Sequence, residues 1–504
     1  MRYIYSNAVI ALALLPAFFI LHNCNELFGF LPLRQIVFYT VLIYLVVFIL
    51  YFVLKRRIGS SKTAVLLFFI FLFLLFFTPV HGAIKSVAFH TYSFFHPLLM
   101  ILLFLLVIGI SWKITRSSTV DRRLIYFLNI TMICVVISEF FSLVINTKDL
   151  KRNGNLIYSS RELTNSYLPL KSTSIAKPDI YFLVFDEYTN AKTLEKIWHF
   201  NNQEINQWLG SKGFYVPTGT HGNYSFTLFS MSATFNMNYL DARGSDATVK
   251  KSLLQANQSL SDNELFSILE KENYKIHFLA PFKNRFGENG MGDWFDYIVS
   301  HQMDMQTLPG KLWDEVQTHF YNQGSANNPH SILRNKFEVI QRTLQQVNST
   351  VNPDSNRAPQ FVYGHFMIPH EPHLFDVDGK LLADKDDIPP LYKTYPAQIN
   401  FVNDLIRQMV SEILQKNKRN TIIILEGDHG FREFLEGPNW FARTPDSVKQ
   451  YFTPNFSAYY FPDSDYRRMY DTITPLNVFR VILNQYFHQN FRLLKDTSTL
   501  VKDE

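Results

Sequence analysis

The sequence predicts a helical membrane domain of five transmembrane helices, followed by an α/β domain with a mostly parallel sheet. Three observations lead there. Five apolar runs precede residue 150. Beyond residue 177, strand-like apolar runs alternate with helical ones, the pattern of a parallel sheet with crossover helices. One of these runs, Thr421-Ile-Ile-Ile-Leu-Glu-Gly-Asp-His-Gly430, passes abruptly from aliphatic to polar residues. A strand buried on both faces reads as such a continuous run. A carboxylate and an imidazole at its C-terminal end fall where open α/β sheets keep their ligands.

At 504 residues the chain is too long for one ordinary domain. Hydrophobic residues make up 47% and charged ones 18%, which suits neither a disordered nor a purely soluble chain. The formal charge of +5 is small, and the basic residues partly flank the apolar runs, so nucleic acid is not indicated. Cys24 and Cys134 both lie in the apolar part. The polar half therefore has no disulfide framework, no cysteine metal site and no cysteine nucleophile.

The apolar runs cover 7–21, 36–54, 64–80, 97–112 and 124–145, each near the length that crosses a bilayer. The first has only Arg2 as its positive region, and no small-residue cleavage site follows its apolar core, so it does not read as a cleaved signal peptide. Lys55, Arg56, Arg57 and Lys62 follow the second run; Lys113, Arg116, Arg122 and Arg123 follow the fourth. Both loops should be cytoplasmic. The N-terminus is then inside, and everything after about residue 147 is outside the cytoplasmic membrane. Glu139 lies within the fifth run, where a carboxylate needs a partner on a neighbouring helix.

The expected division is a transmembrane domain over 1–147, a polar linker over 148–176, an extracytoplasmic domain over 177–490 and a tail over 491–504, loose from Lys495 on. Within the outer domain, 178–185 reads as a strand ending at Asp186 and Glu187. Helices are expected over 193–209, 263–273, 331–347, 395–416 and 472–487, and strands over 274–282 and 360–367. Residues 283–330, rich in Asn, Gly, Asp and aromatics, read as loops over the site.

Three strand ends thus offer ligands: Asp186 with Glu187, His365, and Asp428 with His429. Asp and His suit Zn²⁺ or Mn²⁺, with magnesium or calcium as alternatives. Residues 223–238 combine hydroxyls with a helical apolar rhythm, so a helix start there would face the strand ends. A hydroxyl at that start, close to a metal, becomes a competent nucleophile, and the helix amides favour an anionic substrate. His365, His370 and His373 fall within nine positions, and Pro369 and Pro372 exclude a regular helix there. They form a rigid loop suited to a second metal or to phosphate oxygens.

Residues 178–488 resemble the sulfatase-like branch of the alkaline phosphatase superfamily. The matching pieces are the strand ending at Asp186-Glu187, Thr227 within Asn-Tyr-Ser-Phe-Thr, the His365/His370 segment, and Glu426-Gly-Asp-His-Gly. With five spans in front, the layout is similar to lipoteichoic acid synthases and lipid A phosphoethanolamine transferases. The resemblance implies that Asp186, Thr227, Asp428 and His429 hold a metal. It implies that Thr227 is the nucleophile, and that His365 and His370 contact substrate or a second metal. Glu187 and His373 are further candidates. The chain lacks the C/S-x-P-x-R setting that sulfate-ester hydrolysis needs, and it lacks the transferases' disulfides. Three readings stay open. The first is transfer of a phospho-head group, such as phosphoethanolamine or phosphoglycerol, from a membrane phospholipid to an envelope lipid or glycan. The second is a phosphodiesterase or phosphatase of the same fold. The third is a non-catalytic envelope protein.

Overall fold

The computed structural model describes residues 7–28, 31–78, 95–157, 162–170, 177–240, 255–282, 284–286, 303–313, 329–382, 390–435 and 440–501. The chain divides into two units, 1–152 with 295–327, and 153–294 with 328–504.

In the first unit the apolar runs form α1 (Val9–Glu26), α2 (Leu33–Ile58), α3 (Ser60–Leu75), α4 (Phe95–Arg116) and α5 (Arg122–Ile157). Among the described residues, three stretches are long and apolar enough to cross a membrane, fewer than the five spans expected: α1, α2 and the Arg122–Lys148 stretch of α5. α3 is shorter, at 16 residues. Its start is fixed by Gly59, whose φ of 85° ends α2. α2 exposes Phe38, Val41, Leu45, Phe48 and Val53, an apolar surface suited to lipid. Leu12, Leu15 and Phe19 of α1 pack with Val65, Phe68 and Phe71 of α3. Glu139 meets His22 Nδ1 at 2.9 Å and accepts from Asn25 Nδ2 at 2.6 Å, the neighbouring-helix pairing expected of it.

One expectation fails here. Residues 303–313, expected among loops of the outer domain, belong instead to the first unit. Met303 is buried in its core, and Thr78 Oγ1 donates to the Met305 carbonyl at 2.6 Å. Polar composition hid the apolar Met303 and Leu308, which are buried. The rest of 283–330 lies largely outside the described residues.

The second unit holds a five-stranded sheet in the order β2-β3-β1-β4-β5. The strands are β1 (Asp179–Phe185), β2 (Lys275–Leu279), β3 (Gln360–Phe366), β4 (Thr421–Glu426) and β5 (Ser457–Tyr460). β1 pairs in parallel with β3 and β4, β2 pairs in parallel with β3, and only β5 runs antiparallel. β1, β3 and β4 are buried along their whole length. Alternation splits β1 between two cores. Ile180, Phe182 and Val184 face one side, with Phe235 and Phe479. Tyr181, Leu183 and Phe185 face the other, with Val347 and Ile406. Each such side chain fully buried adds roughly 1.5–3 kcal/mol.

Helices α6 (Glu162–Ser166), α7 (Ala191–Trp198), α8 (Gln203–Ser211), α9 (Thr227–Asn236), α10 (Glu264–Lys271), α11 (Pro329–Thr350), α12 (Leu391–Lys416) and α13 (Pro475–Tyr486) surround the sheet. The helix expected over 193–209 is two, because His199 takes a left-handed φ of 52° after α7. Part of the expected linker is docked: Thr164 N donates to Glu264 Oε2 at 2.7 Å, and Tyr167 Oη to Glu272 Oε1 at 2.7 Å. The tail is not loose. Val501 is buried and its N–H donates to Ser225 Oγ at 2.9 Å, while Asp496 accepts from Thr474 N and Asn477 Nδ2. Each of these partners is far away in sequence, so composition at the terminus could not reveal it.

Candidate active site

The sheet aligns its ligand-bearing ends. Val184 of β1 lies opposite His365 of β3 and Glu426 of β4, so Asp186 and Asp428 emerge side by side. Glycine makes the approach feasible. A Cβ on Gly427 would meet the Tyr188 carbonyl at 2.2 Å, and one on Gly430 the Tyr451 carbonyl at 2.2 Å. The N–H groups of Glu187 and His429 both donate to Asp428 Oδ1, each at 2.9 Å. Glu187 sits at a left-handed φ of 66°, an unfavourable conformation for a non-glycine residue. Tyr395 Oη donates to its carbonyl at 2.6 Å.

Thr227 is the first residue of α9, and no side chain caps that end. The first-turn amides thus remain available to an anion. Thr227 Oγ1 lies 3.5 Å from Asp186 Oδ1 and 3.3 Å from His429 Nε2. His429 Nε2 also lies 3.3 Å from Asp428 Oδ2 and 3.8 Å from Asp186 Oδ1. Four predicted site residues therefore converge.

The donor set fits a divalent cation. His429 Nδ1 is 2.8 Å from the Gly430 carbonyl, which can only accept, so Nδ1 carries the proton. Nε2 then turns its lone pair toward Thr227 and the two carboxylates, as a metal ligand must. Asp428 Oδ2 is buried with no hydrogen-bond partner among the described residues, a costly arrangement unless a cation completes it. The 3.3 Å separations of His429 Nε2 from Thr227 Oγ1 and Asp428 Oδ2 are within reach of one ion bound at about 2.0–2.2 Å.

His365 stands beside this set: Asp186, His365 and Asp428 each place a ligand atom within 4.8 Å of the other two. His365 Nε2 is 3.1 Å from Asp186 Oδ2, and its Nδ1 is 2.7 Å from Tyr363 Oη. It orients Asp186. Burial raises the Asp186 pKa, but the charge of His370 and the hydrogen bond from His365 outweigh it, so the carboxyl is held below its ordinary range. His370 lines the cavity with Glu187 and Thr227. Burial lowers its pKa, yet the charges of Asp186 and Glu433 outweigh this and raise it. His373 is turned away: its Nδ1 lies 2.6 Å from Thr394 Oγ1. Burial, then the charges of Lys336 and His370, hold its pKa well below the ordinary value.

The cavity beside Thr227, about 310 Å³, also brings in Arg432 and Glu433. Neither was foreseen, although both directly follow the Gly430-Phe431 pair. Arg432 Nη1 donates to the Ser225 carbonyl at 2.6 Å, and its guanidinium lies over the Trp440 and Phe226 rings. It braces the segment that delivers Thr227. Lys336 of α11 donates to the carbonyls of His370 at 2.5 Å and Pro372 at 2.8 Å. Burial pulls its pKa down to about 7.

Among solved structures, the chain is similar to the integral membrane lipooligosaccharide phosphoethanolamine transferase A of Neisseria meningitidis. The two share 11% identity over 95% of each chain, with a TM-score of 0.39. The periplasmic domain of EcEptC from Escherichia coli shares 12% identity over 63% of this chain and 86% of that one, with a TM-score of 0.38. A protein of the alkaline phosphatase superfamily from Vibrio parahaemolyticus shares 12% over 65% and 73%, with a TM-score of 0.34. No curated protein matches. The sulfatase family model matches residues 212–471, a stretch that includes Thr227, His365, His370, Asp428 and His429. Because that match spans just over half of the chain, the protein belongs to the sulfatase family of enzymes.

Proposed function

We propose that this protein is a metal-dependent phosphotransferase of the cytoplasmic membrane. In this reading five spans anchor a catalytic domain that faces the periplasm, and the enzyme moves a phospho-head group from a membrane phospholipid to an envelope lipid or glycan. The observation that carries this reading is Thr227. Its hydroxyl opens an uncapped helix within 3.3 Å of His429 Nε2 and 3.5 Å of Asp186 Oδ1. Asp186, Thr227, Asp428 and His429 would hold a divalent ion, zinc or manganese by their chemistry. When bound there, that ion supplies positive charge that acidifies the hydroxyl.

The chain's own residues do the rest. Thr227 Oγ1 attacks the phosphorus of the lipid diester; the new O–P bond forms as the bond to the diglyceride oxygen breaks. The hydroxyl proton ends on that leaving oxygen. An acceptor hydroxyl then attacks the phosphothreonyl group, and its proton returns to Thr227. The amides at the start of α9 favour the phosphoryl oxygens. His370 lines the same cavity as Thr227, in position to contact the head group.

The test uses full-length protein in detergent with Mn²⁺ or Zn²⁺ and mixed phospholipids, read by intact mass. A head-group adduct that maps to Thr227 and is absent from Thr227→Ala supports the reading, and its mass names the group. An adduct that water alone discharges, with envelope acceptors present, favours the hydrolase. No adduct with any lipid overturns the Thr227 mechanism.

A further inference from the structure

A second cavity in the same unit, of about 620 Å³, has no task in the reaction above. It shares no lining residue with the cavity beside Thr227, although the two are neighbours along the chain. Glu187 lines one and Asn190 the other, on either side of the pair Tyr188-Thr189. Its volume falls in the range of small-molecule sites, ~300–1,000 Å³. The starts of α7 and α8 supply most of its polar lining, and Val216, Pro217 and Phe456 supply apolar surface.

The polar lining is dominated by amides, and most of them are locked. Asn190 Oδ1 accepts from Thr193 N at 2.9 Å, and Asn201 Oδ1 accepts from Gln203 N at 3.0 Å. A backbone N–H only donates, so these contacts fix which end of each amide is the oxygen. The opposite end is then an NH₂ group held in place, with no hydrogen bond to the described residues. Asn202 is secured at both ends. Its Nδ2 donates to Tyr188 Oη at 2.8 Å, and its Oδ1 accepts from Asn403 Nδ2 at 2.9 Å. Asn206 has the complementary character: its Oδ1 is buried and accepts from nothing among the described residues.

Fixed donors beside an unfilled acceptor match a group that accepts and donates at once, and a hydroxyl is such a group. Because the amides are already oriented, a ligand pays little to order them. Several hydroxyls on a carbon ring describe a saccharide, whose C–H faces would meet Val216, Pro217 and Phe456. Phe456 is itself held by stacking on Tyr188, with ring centroids 4.4 Å apart. Lys192, Glu195 and Lys196 also line the cavity. They are exposed and carry both signs, so solvent and opposite charge weaken any selection for a charged ligand.

We infer that this cavity is a binding site for a neutral saccharide, read by the amides of Asn190, Asn201 and Asn206 and separate from the catalytic cavity. It would hold the domain to an envelope glycan while the cavity beside Thr227 stays free. The inference does not depend on the proposed transfer reaction.

The experiment measures binding of maltose, N-acetylglucosamine and glycerol by saturation-transfer NMR and calorimetry. It uses full-length protein in a detergent without a sugar head group, which would otherwise compete. Wild type should bind maltose or N-acetylglucosamine and bind glycerol far more weakly. Asn206→Ala and Asn201→Ala should each weaken saccharide binding about tenfold, the loss of one hydrogen bond to an oriented group. Asn206 makes no side-chain bond within the described fold, so its variant should fold, and near-ultraviolet circular dichroism checks both. Thr227→Ala should bind the saccharide as wild type does, and Asn206→Ala should form the Thr227 adduct at the wild-type rate. No saccharide bound by wild type overturns the site, as does glycerol bound as tightly as maltose. Undiminished binding in folded Asn206→Ala and Asn201→Ala puts the saccharide elsewhere and overturns the assignment. Binding lost in Thr227→Ala puts it in the catalytic cavity and overturns it too. None of these results decides the proposed function, which stands or falls on the adduct at Thr227.

Discussion

The two ends of β1 bury carboxylates in opposite ways. At the N-terminal end Asp179 is fully buried, and every oxygen is engaged. Arg357 Nη1 and Nη2 donate to it, Asn417 Nδ2 at 2.9 Å and Gln360 N at 3.0 Å do likewise, and Arg419 Nε lies 3.4 Å away. At the C-terminal end Asp428 Oδ2 and Glu187 Oε2 are as deeply buried and have no hydrogen-bond partner among the described residues. Neither carboxylate burial nor neighbouring charge distinguishes a site from a structural pair; completeness does. A satisfied network fixes the fold, whereas an incomplete one in a cavity is poised for a ligand. Glu139 in the membrane unit follows the first rule, with His22 and Asn25 as partners.

Substitutions can break this contrast. The largest effect is expected for Thr227→Ala, which should cut head-group transfer by about 10³-fold or more, because removing a nucleophile abolishes the covalent route. Its thermal midpoint should hardly move. Asp179→Ala should do the reverse. It strands Arg357 and Arg419 and should cost about 3–5 kcal/mol of stability, read by denaturant unfolding, while the folded fraction keeps its rate of adduct formation.

Asp428→Asn sharpens the comparison further. In chelator-stripped protein it should leave stability unchanged or raise it, since an uncompensated buried charge disappears while Oδ1 can still accept from Glu187 and His429. With metal present the order should invert, because wild type alone gains binding energy. Deleting residues 495–504 should have a smaller effect, about 1–2 kcal/mol, through loss of the Val501–Ser225 and Asp496–Thr474 contacts. It should also slow transfer, because Ser225 leads into Thr227.

The smallest expected effect is a pH dependence away from the site. Burial, then the charges of Lys275 and Arg357, lower the His277 pKa to about 4. The folded protein therefore binds a proton less readily than the unfolded chain, whose histidine titrates near 6.5. His277's contribution is full above pH 6.5 and is lost as pH falls from there toward 4. His277→Gln should flatten the acid limb of stability measured over that window, modestly, because the ring is partly exposed.

Much was legible because it depends on local order. The run 421–426 had to be a buried strand, since three isoleucines and a leucine admit no solvated face. Asn263 before an apolar helix marks its start, and its side chain does accept from Phe266 N. Asp186, Asp428 and His429 could be named in advance because each follows the end of a readable strand, whereas Thr227 was singled out among the hydroxyls of 223–238 by the family resemblance. Arg432, Glu433 and Lys336 could not. They sit beyond the recognisable motif or on a helix more than thirty residues away in sequence from the loop that it clamps, and only packing brings them to the cavity. The 303–313 segment and the tail misled for the same reason, since polar composition reports average solvation and not the few apolar contacts that dock a segment.

The sequence by itself determined the apolar helices, the parallel sheet and the polar ends of its strands, because periodicity and burial act on neighbours along the chain. Only the tertiary structure decided which polar atoms find partners. Asp179 and Asp428 are the same residue type at the ends of adjacent buried strands. What separates them is whether distant segments supply enough donors, and that depends on close packing in three dimensions.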